Sequence, residues 1–255
     1  MGARIAVLGA GAMGSAAAVL LARHRGEVDL LVLDAAAERA EAAVRRAGHG
    51  EARAVDAAGG GLVEALHGVT AVAACVPYRL NLAVMEAALA AGCHYADLGG
   101  LFHTTRRQLG LDGRFRDAGL AAVLGIGSAP GLTNELARLG ADRLDRAVSI
   151  DMADGSVDVG GDRFSVPYSA ETLLDEFTLP AMVFEEGQLR EVPAGSGVVD
   201  WAFPEPVGVQ PAMYTLHSEL ATLPSTIPGV RDVRWRLALP RAVHEGFAFL
   251  VGIGL

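Results

Sequence analysis

Lysine is missing from this chain. All 21 basic residues among the 255 are arginine. That excludes a Schiff-base lysine, a P-loop lysine and any lysine acting as acid or base. Cysteine is scarce: only Cys75 and Cys93 occur, both in apolar segments. Neither a disulfide framework nor a zinc site is expected, and a reducing cytoplasm is the default location. No HxxxH, CxxC or repeated carboxylate spacing points to a metal. No apolar run is long enough to span a bilayer. The first strand opens the chain, so no signal segment is expected. Excess positive charge is absent too. Residues 1–125 carry 12 Arg against 12 acids, and residues 126–255 carry 9 against 18, which puts the net charge of −9 in the second half. Nucleic acid is therefore not an expected partner. What is present is a half-apolar composition with 20% charged residues, which suits a buried α/β core in one large or two moderate domains.

The most specific local signal is Gly9-Ala10-Gly11-Ala12-Met13-Gly14. It follows the apolar stretch Ile5–Leu8 and precedes an Ala- and Leu-rich helix. Asp34 stands twenty residues past Gly14, at the end of a second apolar stretch, Val28–Leu33. A GxGxxG run between strand and helix, with an acid at this distance, is a dinucleotide fingerprint. Gly9 allows the tight turn, Gly11 the approach of a pyrophosphate, and Gly14 close helix packing. Asp34 would accept hydrogen bonds from both ribose hydroxyls and repel a 2′-phosphate. NAD is therefore expected in preference to NADP.

Strands and helices alternate through residues 3–125. Strands are expected at Arg4–Leu8, Val28–Leu33, Ala52–Val55, Ala71–Val76, His94–Leu98 and Ala121–Leu124. Helices are expected near Met13–Arg23, Ala36–Ala47, Gly60–His67, Leu80–Ala91 and Thr104–Ala118. Such interleaving implies a Rossmann-type, doubly wound parallel sheet. The pattern changes after Gly125. A turn leads to a helix at Leu132–Leu144, and strands then dominate: Val148–Ala153, Met182–Glu185, Gln188–Val192, Val198–Phe203, Met213–Leu216 and Val233–Leu239. Helix signal beyond Leu144 is confined to Ser169–Phe177, with Ser169 as its cap. The expected division is a dinucleotide-binding domain at 1–127 and a second, mostly antiparallel α+β domain at 128–255. The last residues, Phe247–Leu255, are apolar throughout. They read as a final buried strand or helix, or as a chain that stops inside a larger fold.

In a doubly wound sheet, ligands bind beyond the carboxyl ends of the strands, where strand order reverses. Strand one then lies beside strand four, which ends in Val76-Pro77-Tyr78-Arg79. Val76 and Pro77 are candidate cofactor contacts, and Tyr78 is expected near the nicotinamide. Asp97 ends strand five at the same rim; its reading as a site acid stands beside that of a loop cap. His94 and His103 read as structural histidines. His217 lies in a polar cluster, Tyr214–Thr222, inside an apolar stretch. A buried cluster of that kind must be hydrogen-bonded, for structure or for catalysis.

These stretches resemble the saccharopine dehydrogenase-like family. The likeness is carried by Val76–Tyr78, Tyr95–His103, Leu109–Gly119 around Asp112, Gly127–Asn134, Pro167–Ser169, Leu173–Ala181, Phe203–Gly208 and Tyr214–Pro224. It is nearest to the lysine 6-dehydrogenase members, with saccharopine reductases next. The resemblance implies a Rossmann domain followed by a substrate and dimerisation domain, hence a homo-oligomer. It implies oxidation at an amine-bearing carbon, with NAD(P) taking the hydride and L-lysine yielding the 6-semialdehyde. Tyr78 and Asp112 match positions that contact substrate in the family, and His217 lies in a block associated with the substrate site. Family members continue past Leu255, so the second domain is expected to be C-terminally incomplete. Asp97, Asp112 and His217 are the candidate bases, and His217 is favoured because a group titrating near ~7 works best. Arg79 or Arg231 would hold a substrate carboxylate. Saccharopine reductase, a carboxynorspermidine-type reductase and a non-catalytic NAD-binding chain are the alternatives.

Overall fold

The computed structural model describes residues 2–24, 26–157 and 168–254. Pro167 and Leu255, each part of a stretch discussed above, lie outside the described residues. Backbone contacts divide the chain into two compact units, Met1–Gly127 and Ser128–Leu255.

The first unit runs β1 (Ala3–Leu8), α1 (Ala12–Leu21), β2 (Val28–Asp34), α2 (Ala37–Ala47), β3 (Glu51–Ala54), α3 (Leu62–Ala65), β4 (Ala71–Ala74), α4 (Asn81–Ala91), β5 (His94–Asp97), α5 (Phe102–Leu109), α6 (Asp112–Asp117) and β6 (Ala122–Val123). The strand order is β3-β2-β1-β4-β5-β6, and every neighbouring pair is parallel. That order is the Rossmann arrangement, with its reversal between β1 and β4. Helices cover both faces, so the central strands are apolar on both sides. Ala6, Leu8, Leu31 and Leu33 pack into one core. Val7, Leu30 and Val32 pack into the other, with Ala18 of α1 and Ala40 and Ala43 of α2.

The expected helix over Thr104–Ala118 is two helices, α5 and α6, parted at Gly110-Leu111. Glycine disfavours the helix interior by about 1 kcal/mol. The first of the pair begins earlier than expected, and both Phe102 and Thr105 are buried in it.

The second unit contains α7 (Leu132–Ala141), β7 (Ser149–Gly155), α8 (Ala170–Thr178), β8 (Ala181–Glu185), β9 (Gln188–Val192), β10 (Val199–Ala202), β11 (Val209–Tyr214), α9 (Leu223–Thr226), β12 (Asp232–Ala238) and α10 (Arg241–Gly252). Its sheet is mostly antiparallel, with β12 central; β7 joins β12 in parallel register. The β8–β9 hairpin turns on Glu186 and Gly187, both at positive φ (53° and 81°). Ser169 Oγ accepts from the Thr172 N–H and caps α8.

One expected strand is displaced here, and of the two readings of the chain end the buried one does not hold. β11 lies at Val209–Tyr214, not Met213–Leu216. Pro211 argued against a strand through that position, yet it pairs with Asp200 in the ladder to β10. The chain end is a helix, α10, and it is not buried: none of its residues is buried, and Phe249 is 66% exposed. α10 touches the unit through one face only. Val243 and Phe247 pack on Leu173, Phe177, Met213, Leu237 and Leu239, and the Phe177 and Phe247 rings stack at 4.6 Å. Helix beyond α7 is thus not confined to α8.

Phe177 locks α8 into this core. Phe177→Ala is expected to cost about 3–5 kcal/mol, measured as a lower midpoint in denaturant unfolding.

Candidate functional site: a dinucleotide cradle and a buried histidine cluster

The turn from β1 to α1 closes on itself through backbone contacts. Gly9 adopts φ 94°, and its N–H donates to the Leu33 carbonyl at 2.7 Å. A Cβ on Gly14 would strike the Gly9 carbonyl oxygen, and one on Gly9 would strike the Cys75 carbonyl. Only glycine lets α1 sit this close to β1 and β4. Gly11 differs: a Cβ there would meet nothing within 4 Å. It is the open side of the turn and the N-cap of α1, and no side chain caps that end. Ala12 and Met13 are exposed beside it. Backbone N–H groups and the helix dipole at such an end favour a pyrophosphate. The residues present therefore fit a dinucleotide.

Asp34 is buried at the end of β2. Its Oδ2 accepts the Ala10 N–H at 2.7 Å and its Oδ1 the Ala36 N–H at 2.9 Å. A carboxylate has about four acceptor positions, so two remain for ribose hydroxyls. Asp34 thus fastens the glycine turn and retains free acceptor positions. Val76 lies two residues past the end of β4, with its Cγ1 only 3.2 Å from where a Gly9 Cβ would stand. Pro77 leads into a short 3-10 turn, Tyr78–Leu80. The Arg79 guanidinium lies 5.1 Å from the centre of the Tyr78 ring.

Asp97 has a different job. It is 2% exposed and accepts from five donors. These are Tyr95 Oη at 2.8 Å, Gln108 Nε2 at 2.6 Å, Asn81 Nδ2 at 3.3 Å, and the N–H groups of Gly99 and Gly125 at 2.8 Å each. A carboxylate so fully engaged ties β5 to α4, α5 and the exit of β6, the loop-cap role. Burial, then the Asp97 charge, pushes the Tyr95 phenol far up, so it stays a donor. Asp112 is exposed on the first turn of α6, paired with Arg116 at 2.6 Å. It lines a cavity of about 310 Å³ with Met85, Phe115 and Leu120, beside edge strand β6 and three strands from β1. The structure therefore gathers Gly9–Gly14, Asp34 and Val76 but sets Asp112 apart from them. His94 accepts the Ala121 N–H and His103 lies edge-on to Phe102, both structural contacts. Burial pushes the Cys75 and Cys93 thiols up to about 11, so neither is a ready nucleophile.

In the second unit, His217 is the centre of a buried network. Its Nδ1 is hydrogen-bonded to Glu219 Oε2, and Glu219 is fully buried. Thr133 Oγ1 donates to Glu219 Oε1 at 2.7 Å, and Asn134 Nδ2 donates to Thr222 Oγ1 at 3.2 Å. The start of α7 is thus tied to the 217–222 segment. Trp235 of β12 stacks on the His217 ring at 4.1 Å and 16°, and its indole N–H donates to Thr215 Oγ1. Burial pulls the His217 pKa down, but Glu219, then Glu176 and Asp154, outweigh it and hold it above its ordinary value. Burial works against the Glu219 charge, yet His217 holds that carboxyl below its usual range. Glu176, on the buried face of α8, accepts from Tyr168 Oη at 2.7 Å. Burial pushes Glu176 up to about 7, and burial also raises Asp154.

Sequence reasoning missed Glu176, Glu219, Asp154, Tyr168 and Trp235. A signal for one was present. Leu173, Glu176 and Phe177 share one helical face at i, i+3 and i+4, and an acid in an apolar stripe needs a partner.

The family model for the saccharopine dehydrogenase NADP binding domain matches residues 5–123. Residues 5–123 thus resemble a saccharopine dehydrogenase NADP binding domain. A saccharopine dehydrogenase (L-Glu forming) from Saccharomyces cerevisiae has the same fold over 99% of this chain and 58% of its own, with a TM-score of 0.76 at 18% identity. A carboxyaminopropylagmatine dehydrogenase from Synechocystis sp. is 27% identical over 71% of this chain and 46% of its own length. A carboxynorspermidine synthase from Vibrio alginolyticus is 26% identical over 62% and 41%. The match thus spans less than half the length of these curated relatives. Among the described residues, no helix is long and apolar enough to cross a membrane.

Two outcomes are expected of these two sites. Gly14→Ala is expected to abolish NAD(P) binding in calorimetry and to lower the thermal midpoint, because its Cβ has no room. Glu176 titrates near its ordinary 4.5 when unfolded and about 7 when folded. The folded state binds the extra proton, so wild-type stability falls as pH rises from 4.5 to about 7. Glu176→Gln lacks that loss, and its thermal midpoint should rise relative to wild type across this window.

Proposed function

We propose that this chain carries the cofactor cradle and the proton-handling cluster of an NAD(P)-dependent oxidoreductase acting at an amine-bearing carbon. The observation that carries the reading is the glycine turn with Asp34, within a domain that resembles a saccharopine dehydrogenase NADP binding domain. The dinucleotide supplies hydride exchange when bound. The chain's own part is proton transfer: an ammonium group must lose a proton before its carbon can release hydride. His217 is the proposed base. Glu219 engages its Nδ1 and leaves Nε2 for exchange, while Trp235 fixes the ring plane. Asp97 is withdrawn as a base because its acceptor positions are filled.

The sequence resemblance favours L-lysine, as in lysine 6-dehydrogenase. The names of the two curated relatives favour a carboxylated polyamine, and that is the substrate class preferred here. The test supplies NADH or NADPH with an amino-acid semialdehyde and a diamine, and in parallel NAD or NADP with L-lysine, following absorbance of the reduced cofactor. Consumption in the first mixture supports the polyamine class. Turnover only with L-lysine restores the lysine reading. Tight dinucleotide binding without turnover in either assigns a binding role.

Asp34 is proposed to select NAD over NADP through its negative charge. Asp34→Asn should narrow the ratio of the two dissociation constants by about tenfold, ~1.4 kcal/mol, in titration calorimetry. Equal affinities in the wild-type protein would defeat this assignment.

A further inference from the structure

Three connections at the carboxyl rim of the first sheet meet at one buried carboxylate. Asp97 ends β5 beside Ala74, the last residue of β4. Its Oδ1 accepts the Gly99 N–H and the Gly125 N–H, both at 2.8 Å. Its own carbonyl accepts the Ile126 N–H at 2.8 Å. Its Oδ2 accepts from Asn81 Nδ2 at 3.3 Å, and that amide also donates to the Gly99 carbonyl at 3.1 Å. Asn81 is 1% exposed and opens α4 directly after the turn Tyr78–Leu80. Gly99 and Gly125 both adopt positive φ, 111° and 69°, a backbone shape that glycine takes without steric cost. Asp97 thereby fixes the connection after β4, the connection after β5 and the exit of β6 relative to one another.

These three connections lie on one side of the strand-order reversal, and the glycine turn and Asp34 lie on the other, after β1 and β2. A dinucleotide crosses that reversal, with one nucleotide to each half of the sheet. With its pyrophosphate at the glycine turn and its adenosine at Asp34, its nicotinamide half must extend over the ends of β4, β5 and β6. We propose that Asp97 is a positioning residue for the nicotinamide half of the cofactor. At 2% exposure it does not reach the ligand itself. It acts by holding the segments 75–80, 98–101 and 124–126 in the arrangement that receives the nicotinamide. This inference rests on the reading of the glycine turn as a dinucleotide cradle. It divides the bound molecule between two sets of residues: the turn and Asp34 take the adenosine and pyrophosphate, and connections set by Asp97 take the rest. An amide of the same shape at position 97 would replace one carboxylate oxygen by a donor. Either the two glycine N–H groups or the side-chain donors would then face an NH₂ group.

The test measures NADH and ADP binding to the whole chain by titration calorimetry. ADP fills only the cradle half. In Asp97→Asn the NADH dissociation constant should rise about tenfold, the scale of one buried hydrogen bond left unmade. The constant for ADP should stay within about twofold of wild type. Asn81→Ala removes the bridge between the β4 and β5 connections and should act in the same direction. Tyr95→Phe removes a donor that comes from β5 itself and from no rim connection. It should lower the thermal midpoint and leave both constants unchanged. A structural role alone would lower the midpoint in all three variants without separating NADH from ADP. If Asp97→Asn does not fold, Asn81→Ala carries the test. A ratio of NADH to ADP constants that stays at the wild-type value in the folded Asp97 and Asn81 variants overturns the proposal and leaves the cradle reading intact. A ratio that moves as far in Tyr95→Phe also overturns it. A wild-type chain that binds neither ligand defeats the cradle reading and this inference with it.

Discussion

The first unit depends on one close approach. The Gly9 carbonyl and the α-carbon of Gly14 lie nearer than any side chain would permit. From that contact follow the packing of α1 on β1, the aim of its N-terminal amides at open solvent beside Gly11, and the reach of Asp34 to the Ala10 amide. Asp34 ties the end of β2 to the turn after β1, so strand end and loop geometry share one carboxylate. A change that enlarges the turn would disturb both together.

The two units handle buried charge differently. In the first, Asp97 gathers five donors, and its charge is dispersed into strands and helices that it holds in place. In the second, Glu219 bonds directly to a buried histidine, and Glu176 and Asp154 add negative charge to its field. Glu219 is offset by a direct ion pair, whereas Glu176 is offset by a phenol and by the field of His217. Buried acids without a dedicated cation titrate near neutrality because burial opposes their charge. Such groups cluster at functional sites, and this separates the His217 network from the structural Asp97 node.

Much of the first unit was legible from residue order. Its six strands and the switch between β1 and β4 follow from apolar runs separated by helical stretches, because a strand covered on both faces has little choice of residue. Legibility ended where local preference and packing disagreed. Pro211 speaks against a strand, yet β11 runs through it, since pairing to β10 and β12 outweighs one missing donor. Phe247–Gly254 is apolar enough to be buried, yet α10 presents only Val243 and Phe247 to the core. Asp112 fell in a family-like block, but its place on an exposed helical turn beside β6 depends on the break at Gly110-Leu111.

By itself, the sequence determined the dinucleotide turn, the parallel first domain and the change to a mostly antiparallel second one. Each of these is written in residues adjacent along the chain, where glycine spacing and apolar periodicity act locally. Only the tertiary structure decided which acids are free and which are spent. Asp97 and Glu176 are both acids in apolar surroundings. Five donors converge on one, while among the described residues a phenol from another segment meets the other. That difference arises from contacts between residues far apart in sequence, which no local pattern encodes.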